Sequence, residues 1–82
     1  MVKISFDDKF KATFSKLKDS STKERIIKQI EKIKNNPEVG KPMRNVRKGT
    51  REVYIGAFRL SYFYFKEKDE IVIFDFYHKD EQ

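Results

Sequence analysis

Residues 50–77 contain three consecutive segments that favour β-strands, separated by very short connections. They span residues 50–56, 57–66 and 70–77, and each is rich in β-branched and aromatic side chains. Gly56 and Ala57 lie at the junction of the first two segments, and three residues join the last two. Because connections this short require antiparallel pairing, the sequence predicts a three-stranded meander around which the rest of the chain must pack.

The first eighteen residues predict a short strand followed by a short helix. Residues 2–6 alternate apolar and polar side chains, as in a half-buried strand. Asp7 or Asp8 can then cap a helix over residues 8–18. One face of that helix carries apolar side chains at helical spacing, namely Phe10, Phe14 and Leu17.

A second helix is predicted to begin at Ser21. Ser21 and Glu24 have the spacing of a capping box, in which each side chain bonds a free backbone N–H of the other residue. Asn35, Asn36 and Pro37 end the helix, because proline cannot continue its hydrogen bonds. The predicted apolar stripe consists of Ile26, Ile27, Ile30 and Ile33.

The order of predicted elements is strand, helix, helix, strand, strand, strand. This order predicts an α+β fold in which a helical hairpin packs on one face of a twisted, mainly antiparallel sheet. A chain of 82 residues holds one hydrophobic core, so residues 1–82 are predicted to form a single domain. Residues 37–49, which contain both prolines, are predicted to be the one long loop.

Positive charge is concentrated in residues 41–66, where seven basic residues stand against Glu52 alone. Four of the five arginines lie within sixteen positions of this segment, at Arg44, Arg47, Arg51 and Arg59. A guanidinium group can bind a phosphate or carboxylate through two parallel hydrogen bonds, so the cluster favours an oxyanion ligand. The alternative is that these arginines pair with Glu52 and with the acidic C-terminal segment.

Composition excludes several classes of site. The chain has no cysteine and one histidine, which leaves no disulfide, no thiolate zinc site and no multi-histidine metal site, and we expect no metal and no cofactor. No apolar run approaches the length of a membrane span, and residues 1–10 lack the hydrophobic region of a signal peptide. We therefore expect a cytoplasmic protein with no membrane partner.

Strand alternation predicts what the second face of the sheet carries. In the middle strand Leu60 and its alternate neighbours Phe58, Tyr62 and Tyr64 share one side, and Arg59, Ser61, Phe63 and Phe65 share the other. If the Leu60 side meets the helices, Arg59 faces outward beside exposed aromatic rings, and a partner protein is expected to cover Phe63 or Phe65. The alternative is a central strand that is buried on both faces.

The C-terminal strands resemble those of a known family. Residues 56–65 (GAFRLSYFYF), followed by 71–79 (IVIFDFYHK), are similar to the strand pair of RelE/ParE toxins, which contains a Gly-x-Tyr-Arg-x-x-Tyr motif. Arg59 falls on the arginine of the motif and Tyr62 on its last tyrosine, whereas Phe58 replaces the first tyrosine. Size and element order extend the resemblance over nearly the whole chain.

The resemblance implies a toxin that cuts messenger RNA on the ribosome without a metal and is silenced by an acidic, RelB-like antitoxin. It places Arg59 on the scissile phosphate and assigns a proton-transfer or phosphate-binding role to the end of the last strand, occupied here by Tyr77, His78 and Lys79. The later tyrosine of some relatives has no counterpart in this chain. Basic loop residues would supplement Arg59 on the RNA backbone, at Arg44, Arg47, Lys48 and Arg51.

The chemistry of RNA cleavage agrees with these assignments. Attack by the 2′-OH on the adjacent phosphorus needs a clamp for the developing charge, which Arg59 can supply, and help in moving two protons. His78 is the chain's one imidazole and the natural acid or base, unless it is simply solvated at a strand end. Lys79 could neutralise the leaving 5′-oxygen, and Tyr77 could stack on a base or donate its hydroxyl.

Two other functions stay open from the sequence. Some relatives inhibit a protein target such as DNA gyrase without cutting RNA, and a plain RNA-binding module of net charge +6 would also show basic and aromatic side chains together. In each case an acidic antitoxin segment that covers the Phe63 and Phe65 surface and pairs with the arginines would block the site.

Overall fold

The protein is described here by a computed structural model, which covers residues 2–44 and 48–81. In chain order its elements are β1 (Lys3–Phe6), α1 (Asp8–Lys16), α2 (Ser20–Asn35), β2 (Lys41–Pro42), β3 (Arg51–Ile55), β4 (Phe58–Phe65) and β5 (Glu70–His78). Short 3₁₀ turns follow β4 and β5, at Lys66–Lys68 and Lys79–Glu81.

The strands form one sheet in the order β1-β5-β4-β3-β2. β3, β4 and β5 pair antiparallel as a meander, and β1 joins the far side of β5 in parallel, so the sheet is mixed. The predicted α+β class, element order and meander are confirmed. β2 has two residues, lies inside the segment 37–49 that was predicted as loop, and pairs with β3.

Both helices begin at an aspartate. Asp7 caps α1 by accepting a hydrogen bond from the Lys9 N–H, as predicted. At α2 the predicted capping box is wrong, because Asp19 accepts from the Ser21 N–H at 3.0 Å and from the Thr22 hydroxyl at 2.7 Å. The hydrogen bond from the Thr22 hydroxyl is the main reason that the pKa of Asp19 is lowered, and the bond from the Ser21 N–H adds to the effect. A carboxylate accepts hydrogen bonds more strongly than a hydroxyl, so the helix begins one residue early.

The hydrophobic core lies between the helices and one face of the sheet. Phe10 of α1 and Ile26 and Ile33 of α2 pack against apolar side chains of β3, β4 and β5. Ile27, predicted to belong to the same stripe, is instead 51% exposed. The buried sheet residues of this core are Val53, Ile55, Leu60, Tyr62, Ile71, Ile73 and Phe76.

The Tyr62 hydroxyl fastens the segment after α2 to the sheet. This fully buried side chain donates to the Pro37 carbonyl at 2.7 Å and accepts from the Gly40 N–H at 2.9 Å. The segment that leads into the basic loop is therefore held by a core residue of β4.

Burial raises the pKa of Tyr62, although the Gly40 N–H and the Arg51 charge act in the opposite direction. The folded state therefore holds this proton more tightly than the unfolded chain, so stability should fall as the pH rises above about 10. Ultraviolet titration should show a late tyrosine ionisation that is absent from Tyr62→Phe. A late step that persists in Tyr62→Phe would contradict this.

Candidate functional site

Three side chains form a row across the sheet at the β3–β4 turn. Tyr54 of β3 lies directly opposite Arg59 of β4, which lies directly opposite Tyr77 of β5. Paired residues share a face, and Leu60, the next residue of β4, points into the core. The row therefore lies on the face away from the helices, called the open face below, as predicted for Arg59.

Arg59 is partly exposed and is held by neutral groups. Its Nη1 donates to the carbonyls of Gly56 at 3.2 Å and Phe58 at 3.0 Å, and its Cζ lies 4.0 Å from the centre of the Tyr54 ring. Within residues 2–44 and 48–81 no carboxylate forms an ion pair with it. The guanidinium is therefore neither covered by the helices nor neutralised by a described carboxylate.

A second row, one step further along the open face, is polar and buried. Glu52, Ser61 and Asp75 lie opposite one another on β3, β4 and β5 and are at most 4% exposed. The Asp75 carboxylate accepts a hydrogen bond from the Phe76 N–H and forms an ion pair with the Lys9 ammonium at 3.3 Å. Lys9 reaches it at the edge of the sheet, beyond the last residue of β1 that pairs with β5. The Arg59 row thus borders two buried carboxylates.

A β-bulge in β5 determines which residues share the Arg59 face. Ser61 pairs with Asp75 and Tyr62 pairs with Ile73, so Phe74 is an extra residue. The alternation of β5 reverses at the extra residue, and Asp75 and Tyr77 turn to the open face. Without the bulge Tyr77 would point toward the helices, and strand alternation read from the sequence could not reveal this.

The same reversal separates His78 from Arg59. His78 lies opposite Phe58 on the helix side, and their rings meet edge to face at 5.2 Å. Both His78 and Tyr77 border a groove at the end of α1, with Thr13 and Leu17. Its Nδ1 accepts from the Asp80 N–H at 3.1 Å. The structure therefore brings Tyr77, but not His78, together with Arg59.

Lys79 follows β5 and is exposed at the start of the last 3₁₀ turn. Its backbone N–H donates to the Ala57 carbonyl at 2.9 Å, which ties the end of β5 to the β3–β4 turn. The role predicted for its ammonium group, which is to neutralise the leaving 5′-oxygen, stays a prediction.

The predicted basic loop residues differ in their availability. Arg44 and Lys48 are exposed, and Arg44 borders a groove with Lys41 and Pro42. Arg51 is bound within the fold, because its Nη1 donates to the carbonyls of residues 38 and 40 at 3.1 and 2.8 Å. Arg47 lies outside the described residues.

The aromatic residues predicted to meet a partner form a cluster at the far end of the open face. Phe63 and Phe65 stack with ring centres 5.9 Å apart, and Phe74 contacts Phe63 edge to face at 5.2 Å. Phe65 is 43% exposed, and the Lys68 ammonium lies 5.9 Å from the centre of its ring. An exposed aromatic surface therefore exists where the strand alternation predicts it.

In the described part of the chain, no three aspartate, glutamate or histidine side chains lie together in a way that could hold a metal ion. None of the helices in those same ranges is long and apolar enough to cross a membrane.

Comparison with known proteins gives one family and a consistent fold. Residues 4–82 match the family described as the ParE toxin of type II toxin–antitoxin systems. A search of curated proteins found no match.

Solved structures with the same fold include chains of toxin–antitoxin complexes from two bacteria. One chain of the toxin–antitoxin complex RelBE2 from Mycobacterium tuberculosis is 25% identical to this chain, with a TM-score of 0.72, and the match covers 94% of this chain and 96% of that one. One chain of the intact Escherichia coli RelBE toxin–antitoxin complex is 16% identical, with a TM-score of 0.79, and the match covers 95% of this chain and 96% of that one. Because the family model spans nearly the whole sequence, the chain belongs to the ParE toxin family of type II toxin–antitoxin systems, within the RelE/ParE superfamily.

Proposed function

We propose that this toxin cuts messenger RNA on the ribosome, with Arg59 as the group that binds the scissile phosphate. The observation that carries the proposal is the state of the Arg59 guanidinium, which lies partly exposed between two tyrosines with no described carboxylate to neutralise it. Nη1 is used by two carbonyls, so the donors on Nε and Nη2 stay available for an oxyanion.

The reaction needs no metal. The 2′-oxygen of the RNA forms a bond to the adjacent phosphorus, the bond to the 5′-oxygen breaks, and one proton leaves the first oxygen while another reaches the second. Negative charge grows on the non-bridging oxygens, and the fixed guanidinium stabilises it. Among the other predicted catalytic residues, Tyr77 pairs directly with Arg59, and it is 5% exposed.

The basic loop would hold the RNA backbone on the open face. Arg44 and Lys48 are exposed and can contact phosphates without reading the bases. Arg51 makes a smaller contribution in this account, because its guanidinium already holds the Gly40 carbonyl at 2.8 Å.

A second candidate function is inhibition of a protein target such as DNA gyrase. The placement of His78 favours it, because the imidazole lies opposite Phe58 on the helix side and not in the row of Arg59. The two functions are separated by adding purified toxin to programmed ribosomes and to a replication assay. Cut message supports the nuclease, whereas intact message with halted replication supports the alternative.

The neutralising partner is proposed to be an acidic, RelB-like antitoxin. Solved complexes of this fold are named as toxin–antitoxin pairs. Besides the Phe63 and Phe65 surface, this chain has an apolar groove between β1 and the two helices, whose exposed rim includes Phe6 at 40% and Ile27 at 51%. Lys11 borders this groove, so an amphipathic acidic helix would fit both its apolar floor and its charge.

Truncating either apolar surface should weaken the antitoxin complex. We expect Ile27→Ser and Phe65→Ser each to raise the Kd for the cognate antitoxin about tenfold, since each removes a partly exposed apolar anchor. Calorimetric titration measures this, and Lys18→Gln, an exposed change between the helices, serves as the control. If both serine variants bind like the unmodified chain, the antitoxin uses neither surface.

A further inference from the structure

Tyr54 is an exposed aromatic residue outside the predicted set of site residues. Its side chain lies on the open face of β3, directly opposite Arg59, and the residue is 56% exposed. Its burial contributes little to the core, whose β3 members are Val53 and Ile55. The position of the ring therefore points to a role on the surface.

The ring is in contact with the Arg59 guanidinium. The Cζ atom lies 4.0 Å from the ring centre, well within the range in which an aromatic face attracts a cation. Arginine favours such stacking because its planar group contacts a ring while its edge donors stay available for other partners. The contact thus orients the guanidinium without using its hydrogen bonds.

Two further contacts complete this orientation. Nη1 donates to the carbonyls of Gly56 and Phe58, both at the β3–β4 turn. One nitrogen and one face of the guanidinium are therefore occupied, and the donors of Nε and Nη2 are the pair left over. This pair has the spacing that binds two oxygens of one phosphate.

We propose that Tyr54 is a positioning residue, which holds the guanidinium of Arg59 so that Nε and Nη2 meet one phosphodiester of single-stranded RNA. The inference rests on the proposed function for the identity of the ligand. A side chain that is already ordered loses less freedom when it binds, so the ring should improve both binding and the rate of cleavage.

The β3–β4 turn does not need this ring. Gly56 has a φ of +60°, and glycine at the first position of a two-residue hairpin turn fixes the strand pairing by itself. The loss of the Tyr54 ring should therefore change the Arg59 side chain and leave the sheet intact.

The test compares Tyr54→Phe, which keeps the ring, with Tyr54→Leu, which removes it. Val39→Ala is the control, because Val39 is also apolar, is 46% exposed and borders the same shallow groove as Tyr54. Nuclear magnetic resonance of the free protein reports the stack directly, since ring currents should move the Arg59 Cδ protons upfield. Titration with a short 2′-O-methyl oligoribonucleotide, which cannot be cleaved, gives the Kd.

We expect the upfield shift in the unmodified chain, in Tyr54→Phe and in Val39→Ala, and its loss in Tyr54→Leu. The Kd for the oligonucleotide should rise about fivefold in Tyr54→Leu alone, with unchanged thermal stability. On ribosomes, kcat should fall in the same variant and recover in Tyr54→Phe.

Other outcomes separate this inference from the proposed function. No upfield shift in the unmodified chain, no binding of the oligonucleotide, or equal Kd values for Tyr54→Leu and Tyr54→Phe would each overturn the positioning role, even where message is cut. If the shifts and Kd values follow the expected pattern while message on ribosomes stays intact, the positioning role stands and the nuclease proposal fails.

Discussion

Replacing Arg59 with alanine should lower the rate of message cleavage on programmed ribosomes by about 10²- to 10³-fold. The reason is that the Arg59 guanidinium lies on the open face and forms no ion pair with a described carboxylate. Its Nε and Nη2 donors meet no protein acceptor in the described structure, so they stay available for a phosphate. Loss of one donor fixed on a developing oxyanion typically has an effect of this size. Single-turnover cleavage of labelled message measures the chemical step.

Two variants test whether the fork or merely the charge of Arg59 matters. Arg59→Lys keeps a positive charge but not the paired donors, so it should recover only part of the rate. Arg25→Ala removes an exposed guanidinium from α2, which lies near the same turn, at Gly56. We expect near-normal cleavage from Arg25→Ala. If Arg59→Ala cleaves message as fast as Arg25→Ala does, Arg59 takes no part in the reaction.

Replacing Gly40 with alanine should destabilise the fold by about 1–3 kcal/mol. A Cβ atom there would lie 2.6 Å from the Tyr62 hydroxyl oxygen and 2.8 Å from a ring carbon of the same side chain. Tyr62 is fully buried and bonded on both sides, so it cannot swing away at low cost. Urea unfolding should show the loss as a lower midpoint with an unchanged slope.

A double-mutant cycle identifies the cause of this loss. Tyr62→Phe removes the hydroxyl and leaves the buried Gly40 N–H and Pro37 carbonyl without this partner, which should lower stability by about 1–3 kcal/mol. The double variant should lose less than the two single losses together, because the nearest atom of the clash is then gone. Additive losses, or an unaffected Gly40→Ala, would show that a clash with the Tyr62 hydroxyl is not what destabilises the Gly40 variant.

The elements of the fold could be predicted because local patterns determine them. The meander follows from strand-forming residues around two short connections, and the Asp7 cap follows from an acidic residue before a helical stripe. The start of α2 was predicted incorrectly, because the Ser21 and Glu24 pattern and the Asp19 carboxylate compete for the Ser21 N–H. The Asp19 carboxylate is the stronger acceptor, so the helix begins at Ser20.

The candidate site was predicted in part. The outward direction of Arg59 follows from alternation along β4, which carries no extra residue. The separation of His78 depends on the Phe74 bulge in β5, which has no local signature in the sequence. Tyr54 did have a signal, because a two-residue turn at Gly56 and Ala57 places position 54 opposite position 59, but nothing in the composition marked its ring as functional.

The anchoring of the basic loop also depends on long-range contacts. Arg51 belongs to the arginine cluster in the sequence, and the fold uses it to bind the carbonyls of residues 38 and 40. Segment charge alone could not separate this structural arginine from Arg59, since both lie in strands of the same positive segment. The pairing of β2 with β3 and the Tyr62 bonds to residues 37 and 40 bring this segment close enough to bind the Arg51 guanidinium.

Mapping the 5′ ends of a defined message on programmed ribosomes, after addition of the purified toxin, is the most direct test of the account. The proposed function predicts new ends within the codon in the decoding site, and predicts that they disappear with Arg59→Ala. Message that stays full length with the unmodified toxin, under conditions in which it still stops growth, would contradict the claim that the Arg59 face cleaves RNA.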